Sequence, residues 1–361
     1  MSQAISVGAT EKKPARRARQ LRESTINMAH GSGGKKMRDL IEDVFLGAFH
    51  NPLLAPLEDQ AIINLAELTA SGDRLAFTTD TYVVSPLFFP GGNIGALAIN
   101  GTVNDLAMSG ARPLYLSCGM VLEEGLSVDT LRQVAASMRE AADRAGVAIV
   151  TGDTKVVERG AADKLFINTA GVGVVPTGIN ISASRATPGD KIIINGTLGD
   201  HGCAILLARN ELALETDIQS DCQPLHELVQ VMLAACPDIH SLRDATRGGI
   251  ATVLNEFAQS SDVCMRINET ALPMRETVKG ACELLGLDPL YLANEGKLLA
   301  IVPPDAADKV VAAMRHHPAG RQAAIIGEVI DAPAGIVLLN TGFGGGRIVD
   351  LLVGEQLPRI C

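Results

Sequence analysis

The chain has no tryptophan and only 3% aromatic residues among its 361. That scarcity excludes modules that bind nucleic acid by stacking bases on aromatic platforms. A cationic excess is missing as well: 31 Lys and Arg stand against 41 Asp and Glu, a formal net charge of -10. Non-specific binding to nucleic acid or an anionic membrane is disfavoured by that balance. It suits a protein that gathers carboxylates around divalent cations. No apolar stretch is long and uninterrupted enough to span a bilayer. The seven cysteines, Cys118, Cys203, Cys222, Cys236, Cys264, Cys282 and Cys361, include no C-x-x-C pair. An odd number without framework spacing excludes a disulfide scaffold or zinc site and points to a reducing, cytoplasmic setting. Neither a Walker A loop nor a full GxGxxG occurs, so the two commonest nucleotide signatures are absent.

What is present is an alternation of strand and helix patterns with 36 glycines, which suits an α/β protein of two domains at this length. Residues 1–25 form a basic arm, with Lys12, Lys13, Arg16, Arg17, Arg19 and Arg22 and little apolar content, and read as disordered. Arg16-Arg17 is no twin-arginine signal, because no apolar segment follows before Ile26. From residue 26 to 176 the periodicity predicts a helix carrying Met37, Leu40, Ile41, Val44 and Phe45, and a strand from Arg74 to Thr79. A helix follows over Ile94–Ser109, a strand over Leu114–Leu122, and a helix capped by Ser127. A short strand, Val147–Val150, ends at Thr151-Gly152-Asp153-Thr154, and another runs over Lys164–Val175. Pro176 to Pro188 is the predicted boundary. The second domain, 177–340, is read as α+β, with strands at Lys191–Asn195, Val263–Ile267, Lys297–Val302 and Ala324–Val329. Residues 341–361 read as a flexible tail, because glycine dominates Gly342 to Gly346.

The tail ends on Cys361, a thiol that can swing into a pocket, take up a group and carry it elsewhere. At full stretch the tail spans roughly 70 Å. The plain alternative is an incidental surface cysteine, but the prenylation motif does not fit, since it needs Cys four residues from the end. Acids recur beside small residues at Asp59, Asp80, Asp105, Asp153 and Asp244. Each alone reads as a helix cap or solvated turn. Several converging would repel one another unless a cation neutralised them, and oxygen-only ligands suit magnesium bridging nucleotide phosphates. The loop Gly31, Ser32, Gly33, Gly34 and Lys35, just ahead of a helix, offers backbone N–H groups and a cation to phosphate.

Taken together, His30-Gly31-Ser32-Gly33-Gly34, Pro90 to Gly95, Gly101 to Ala107, Thr151 to Val156, Gly199-Asp200-His201-Gly202, Arg243 to Gly249, Asn294-Glu295-Gly296-Lys297 and the terminal Pro358-Arg359-Ile360-Cys361 closely resemble the HypE family. These are [NiFe]-hydrogenase maturation factors, carbamoyl dehydratases of the aminoimidazole ribonucleotide synthetase-like superfamily. The motifs occur in order from Ile26 to Cys361. The resemblance implies an aminoimidazole ribonucleotide synthetase-like fold: an N-terminal α/β domain that pairs across a homodimer, and a C-terminal α+β domain beside it. It implies ATP in a groove closed by the glycine loop, with Asn93, Gly95, Asn104 and Thr154 at the nucleotide. Mg2+ would sit on Asp59, Asp80, Asp105, Asp153 and Asp244, with Asp105 foremost. A carbamoyltransferase, HypF, would load a carboxamide onto Cys361, and the HypC–HypD complex would accept the nitrile.

The expected chemistry follows from bond strengths. Loss of water from a thiocarboxamide is hard because oxide leaves poorly. Phosphorylating the oxygen makes phosphate the leaving group, and a base then removes an N–H proton to give S–C≡N. The resemblance supplies Glu295 and Lys155 as the polar pair that meets the carboxamide, Glu295 as base and Lys155 steadying charge on oxygen. Both also read plainly as surface residues. Two other functions fit the residues: another ATP-using enzyme of this fold, such as thiamine-monophosphate kinase or selenophosphate synthetase, and a non-catalytic carrier that presents a thiol.

Overall fold

The structure is a computed structural model and describes residues 21–209, 216–354, 357 and 360. The basic residues Lys12 to Arg19 and the terminal Cys361 lie outside the described residues. The expected arm is shorter than 25 residues on one count: Leu21 is buried and its N–H donates to Asp43 at 2.8 Å, while Thr25 bridges Ser127.

The N-terminal domain begins with the glycine loop and helix α1 (Lys35–Leu40), which continues through a π-turn to Phe45. Four strands, β1 (Arg74–Tyr82), β2 (Arg112–Glu123), β3 (Ala148–Val157) and β4 (Leu165–Val175), form a sheet in the order β1-β4-β2-β3. Helices α2 (Ile94–Met108) and α3 (Val128–Ala145) cover one face. Ser127 caps α3, its hydroxyl accepting from Thr130 N–H. Alternation along β1 leaves Leu75 and Phe77 57% and 73% exposed on the uncovered face. Strand β1 runs past the expected stop at Thr79, so Asp80 lies within it. Likewise Thr151 to Thr154, expected at a turn, lies inside β3. These motifs alternate sides along a sheet, and their small residues permit close strand pairing rather than marking a turn.

Helix α2 is buried almost all round. Gly95 lies against α3, where an added Cβ would stand 2.5 Å from the carbonyl oxygen of Val134. This backbone contact requires a glycine there.

The C-terminal domain holds a seven-stranded sheet. In chain order its strands are β5 (Lys191–Ile194), β6 (Ser241–Asp244), β7 (Cys264–Asn268), β8 (Leu298–Val302), β9 (Ala324–Ile330), β10 (Ile336–Asn340) and β11 (Gly346–Ile348), arranged β11-β10-β7-β9-β5-β8-β6. Helix α4 (Asp200–Ala208) follows β5, and α5 (His226–Ala235) precedes β6; α6 (Gly249–Ser261), α7 (Glu276–Leu285) and α8 (Ala307–Arg315) complete the domain. Every residue of β8 is buried. Leu298, Ala300 and Val302 face a core shared with α5 and α8, while Leu299 and Ile301 face one shared with α6. The first core also takes in Ala107, Met108 and Ala111, which joins the two domains.

In the C-terminal domain five elements stand where the sequence reading placed none: α7, α8, β6, β10 and β11. The glycine run expected to begin the tail is instead the turn of a hairpin, with Leu338 opposite Ile348. The chain therefore stays in the sheet through Ile348, and Val349 beyond it is fully buried.

Asn104 on α2 is a clasp between domains. Its Nδ2 donates to Gln223 C=O at 3.1 Å and its Oδ1 accepts from Leu225 N–H at 2.7 Å. Both ends of the amide are used within the chain. Asn104→Ala would strand two buried backbone groups and is expected to cost about 2–4 kcal/mol, read as a lower denaturant midpoint. An unchanged midpoint with weakened ATP binding would instead support a nucleotide-binding role.

Candidate active site

A cavity of about 520 Å³ lies between α1 and the edge of the N-terminal sheet. Met37, Ile41, Phe45 and Phe49 wall one side, Met120 and Ile149 the other, and Gly33, Asp153 and Thr154 lie at its polar rim. The size and the apolar walls with few polar groups fit a small-molecule site such as one for a nucleotide. Around it the glycine loop is set by short-range bonds. Ser32 Oγ donates to Ala29 C=O at 3.0 Å, Lys35 pairs with Asp39, and Gly31 packs on Val156. Asn93 and Gly95 are not brought to this cavity. Asn93 Oδ1 caps α2 by accepting from Gly95 N–H and Ala96 N–H, and its Nδ2 donates to Ser137 Oγ at 2.7 Å.

The five aspartates do not form one cluster within the chain. Asp80 faces Thr169, Thr169 faces Cys118, and Cys118 faces Gly152 next to Asp153. Three strand spacings, roughly 14 Å, separate Asp80 from Asp153. Asp153 is exposed and pairs with Lys155 at 2.7 Å, which holds its carboxyl below the usual range. Asp59 is exposed. The remaining three do influence one another. Burial pushes Asp105 up to about 6, against a hydrogen bond from Thr78 Oγ1 at 2.9 Å, and the Asp80 charge raises it further. Asp244 is pushed up to about 7 by burial and then by the charge of Asp105. Among the described residues no three His, Cys, Asp or Glu side chains stand close enough to hold a metal. Two mutually repelling carboxylates nevertheless suit Mg2+, which takes one or two protein carboxylates and completes its shell with phosphate and water.

Behind this group, residues 220–223 cross between the domains. Asp221 accepts from Glu295 N–H at 2.9 Å, Gly296 N–H at 3.2 Å and Lys297 Nζ at 2.7 Å. A Cβ on Gly296 would lie 2.0 Å from the Asp221 carbonyl oxygen, so glycine is required for this approach. Glu295 is 3% exposed and its Oε1 has no hydrogen-bond partner. Burial drives its pKa well above the ordinary value, and the charges of Asp221, Asp244 and Asp80 add to this. The Arg247 cation opposes the shift. Lys155 is not brought to Glu295; the ion pair it makes is with Asp153.

The end of the chain arrives at the same place. Buried Ile360 shares an apolar cluster with Ala293, and Cys222 packs against that cluster. His201 Nε2 lies 2.7 Å from Ile360 C=O, and Nδ1 lies 2.8 Å from Ser220 Oγ. A carbonyl only accepts, so the network assigns the proton to Nε2 and leaves Nδ1 to accept from the serine hydroxyl. Burial lowers the pKa of His201, which favours this neutral form. Asp221, Lys297 and His201 received no role in the sequence reading. His201 and Lys297 lay inside quoted motifs, whereas Asp221 stands in an irregular segment with no pattern around it.

Two family models match the chain: AIR synthase related protein, N-terminal domain, over residues 57–175, and AIR synthase related protein, C-terminal domain, over 187–340. The class is therefore that of the AIR synthase-related proteins. The carbamoyl dehydratase HypE of Rhodobacter capsulatus is 56% identical over 341 residues, 94% of this chain and 99% of that protein. A crystal structure of hydrogenase maturation protein HypE in complex with ATP has 51% identity and a TM-score of 0.88, covering 92% of this chain and 99% of that one. A HypE–HypF complex structure gives 46% identity and a TM-score of 0.75, covering 88% of this chain and 100% of that one. The chain belongs to the HypE family of carbamoyl dehydratases.

The raised carboxyls make a pH prediction. A carboxyl whose folded pKa lies above its unfolded value of about 3.9 contributes stability below that value and loses it as pH rises through the folded pKa. Without divalent cation, thermal stability should therefore fall between about pH 4 and pH 7. Asp244→Asn should flatten this slope, and Mg2+ at neutral pH should stabilise the parent more than the variant. Equal slopes in parent and variant would contradict the coupling.

Proposed function

We propose that the chain converts a carboxamide held on the Cys361 thiol to a thiocyanate, at the expense of ATP, and so supplies cyanide ligands for a [NiFe]-hydrogenase iron. The observation that carries this reading is Glu295: a buried carboxylate with one unpartnered oxygen, its N–H bound to Asp221 next to Ser220, the partner of the His201 that lies 2.7 Å from Ile360 C=O. ATP supplies the phosphoryl group that turns the amide oxygen into a leaving group. Over the whole reaction the carboxamide loses the elements of water, and these reappear in phosphate alongside ADP.

The chain's own residues divide the work. The cavity beside α1, with Gly33 of the glycine loop and Thr154 at its edge, holds the nucleotide. Asp105 and Asp244, with Asp80 nearby, would hold Mg2+ and neutralise phosphate charge. His201 fixes the tail by its penultimate carbonyl, which places the next residue, Cys361, one peptide away. Glu295 takes the N–H proton as the C–O bond breaks. Burial and the neighbouring carboxylates raise its proton affinity, which makes it a stronger base. Arg247 acts on that carboxylate as a cation, while Lys155 pairs with Asp153 on the edge strand of the sheet.

The relative solved with HypF supports HypF as the partner that loads the thiol, and HypC–HypD is the proposed nitrile acceptor. A homodimer would cover the exposed Leu75 and Phe77 on the open face of the N-terminal sheet. Free thiols at all six described cysteines fit a reducing cytoplasm.

Labelling tests the elimination directly. With oxygen-18 in the carboxamide, label should appear in inorganic phosphate and not in water. Glu295→Gln should bind ATP and accept the carboxamide, yet stall before the nitrile. Thiocyanate formation at the parent rate in that variant would remove Glu295 as the base.

A further inference from the structure

We propose that Asn100 recognises the nitrogen of the carboxamide, its Oδ1 accepting one N–H while the Glu295 carboxylate faces the other; this rests on the dehydratase reading above. Asn100 is 1% exposed and its Oδ1 has no hydrogen-bond partner, as Glu295 Oε1 has none. A buried acceptor left empty costs about 1–3 kcal/mol, and folded proteins keep few of them. Two flank a single side chain here. Asn100 Nδ2 donates to Cys222 Sγ at 3.3 Å, which fixes the amide so that Oδ1 is its free end. On the other side, the Glu295 backbone hangs from Asp221, the residue before Cys222.

The helix supplies the rigidity. Asn100 and Asn104 are four residues apart on α2 and therefore share a face. Asn104 clasps residues 223 and 225 while Asn100 meets Cys222. The Glu295 charge reaches the same place: burial raises the Cys222 thiol to about 12, and Glu295 contributes to that rise. Cys222 is therefore a neutral thiol and presents no competing anion.

Two free acceptors around one thiol, Asn100 Oδ1 and the Glu295 carboxylate, define a substrate chemistry. A primary carboxamide offers two N–H donors on one nitrogen, whereas a carboxylate or an ester offers none. Nitrile formation removes both protons. The first goes from nitrogen to the Glu295 carboxylate as the oxygen takes the phosphoryl group and ADP leaves, giving C=N–H, and Glu295 then releases it to solvent. The second goes to Glu295 while its N–H electron pair forms the second C–N π bond and the C–O pair departs with phosphate. An amide oxygen cannot take a proton under these conditions. The role of Asn100 is to hold the nitrogen so that an N–H points at Glu295.

The test uses full-length protein loaded at Cys361 with cyanate, which adds to a thiol to give the S-carboxamide without a partner enzyme. ATP-dependent conversion is followed in a single turnover by the loss of one water from the C-terminal peptide. Asn100→Leu should lower the rate about 100-fold, the scale of one lost oriented hydrogen bond at a reacting group, with the ATP KM within about twofold. Asn100→Asp keeps an acceptor oxygen and should recover at least about tenfold of that loss. A parent-like rate in Asn100→Leu, or an Asn100→Asp variant as slow as Asn100→Leu, overturns the proposal in favour of a packing role. If Asn100→Leu does not fold, Asn100→Ser takes its place with the same expectation. A parent that makes no nitrile would instead defeat the dehydratase reading itself.

Discussion

Three hydrogen bonds to one buried carboxylate, that of Asp221, set the geometry on which the site depends. Burial alone would push this acid up, but the Lys297 charge and the donor groups of Glu295 and Lys297 outweigh it, and its pKa ends below the ordinary value. Asp221 is thus a permanent anion locked in the interior. Glu295, whose backbone it holds, is pushed the opposite way by burial and by that same anion. One carboxylate stays charged so that its neighbour binds a proton tightly. Separating two acids by environment in this manner is how a fold gives neighbouring carboxyls different acid and base roles. Removing either partner of the Asp221–Lys297 pair would leave an uncompensated buried charge, so the pair is costly to break even if its net contribution to stability is small.

The segment from Ser220 to Gln223 then connects every part of the site. Ser220 holds His201, which holds the tail. Asp221 holds the loop of Glu295, Cys222 meets Asn100, and Gln223 is clasped by Asn104. Helix α2 belongs to one domain and Glu295 to the other, so the two domains must stay docked for the acceptors to face one reacting group. The shared apolar core at Ala107, Met108 and Ala111 provides that docking. Among the described residues the tail is held by one hydrogen bond to the Ile360 carbonyl and by the packing of Leu357 and Ile360, contacts few enough to release a carrier that must visit other proteins.

Much of this arrangement was legible in the sequence because its signals are local. The apolar pattern of Ile94 to Met108 and the cap at Ser127 depend on neighbours within a few residues, and so does the continuous apolar run of β8. The glycine-rich motifs and the terminal Cys were specific enough in combination to indicate the family. Local signals also misled. Thr151 to Thr154 is small and polar like a turn but is a strand, and the glycines after Thr341 are a hairpin turn rather than a tether. Asn93 is a helix cap whose function sequence alone could not separate from ligand binding. Asp221 carried no signal, because its importance comes from partners 74 to 76 residues away. The spread of the aspartates across the sheet and the distance of Lys155 from Glu295 depend on strand order, which a linear motif does not encode.

The central claim is that the thiol at the end of this chain carries the group that is dehydrated. It is tested most directly by the mass of the C-terminal peptide after carboxamide loading, with and without hydrolysable ATP. The account predicts a peptide bearing the carboxamide without ATP and one lighter by a single water with it. Conversion found on another cysteine, or no mass change at Cys361 while ATP is consumed, would contradict it.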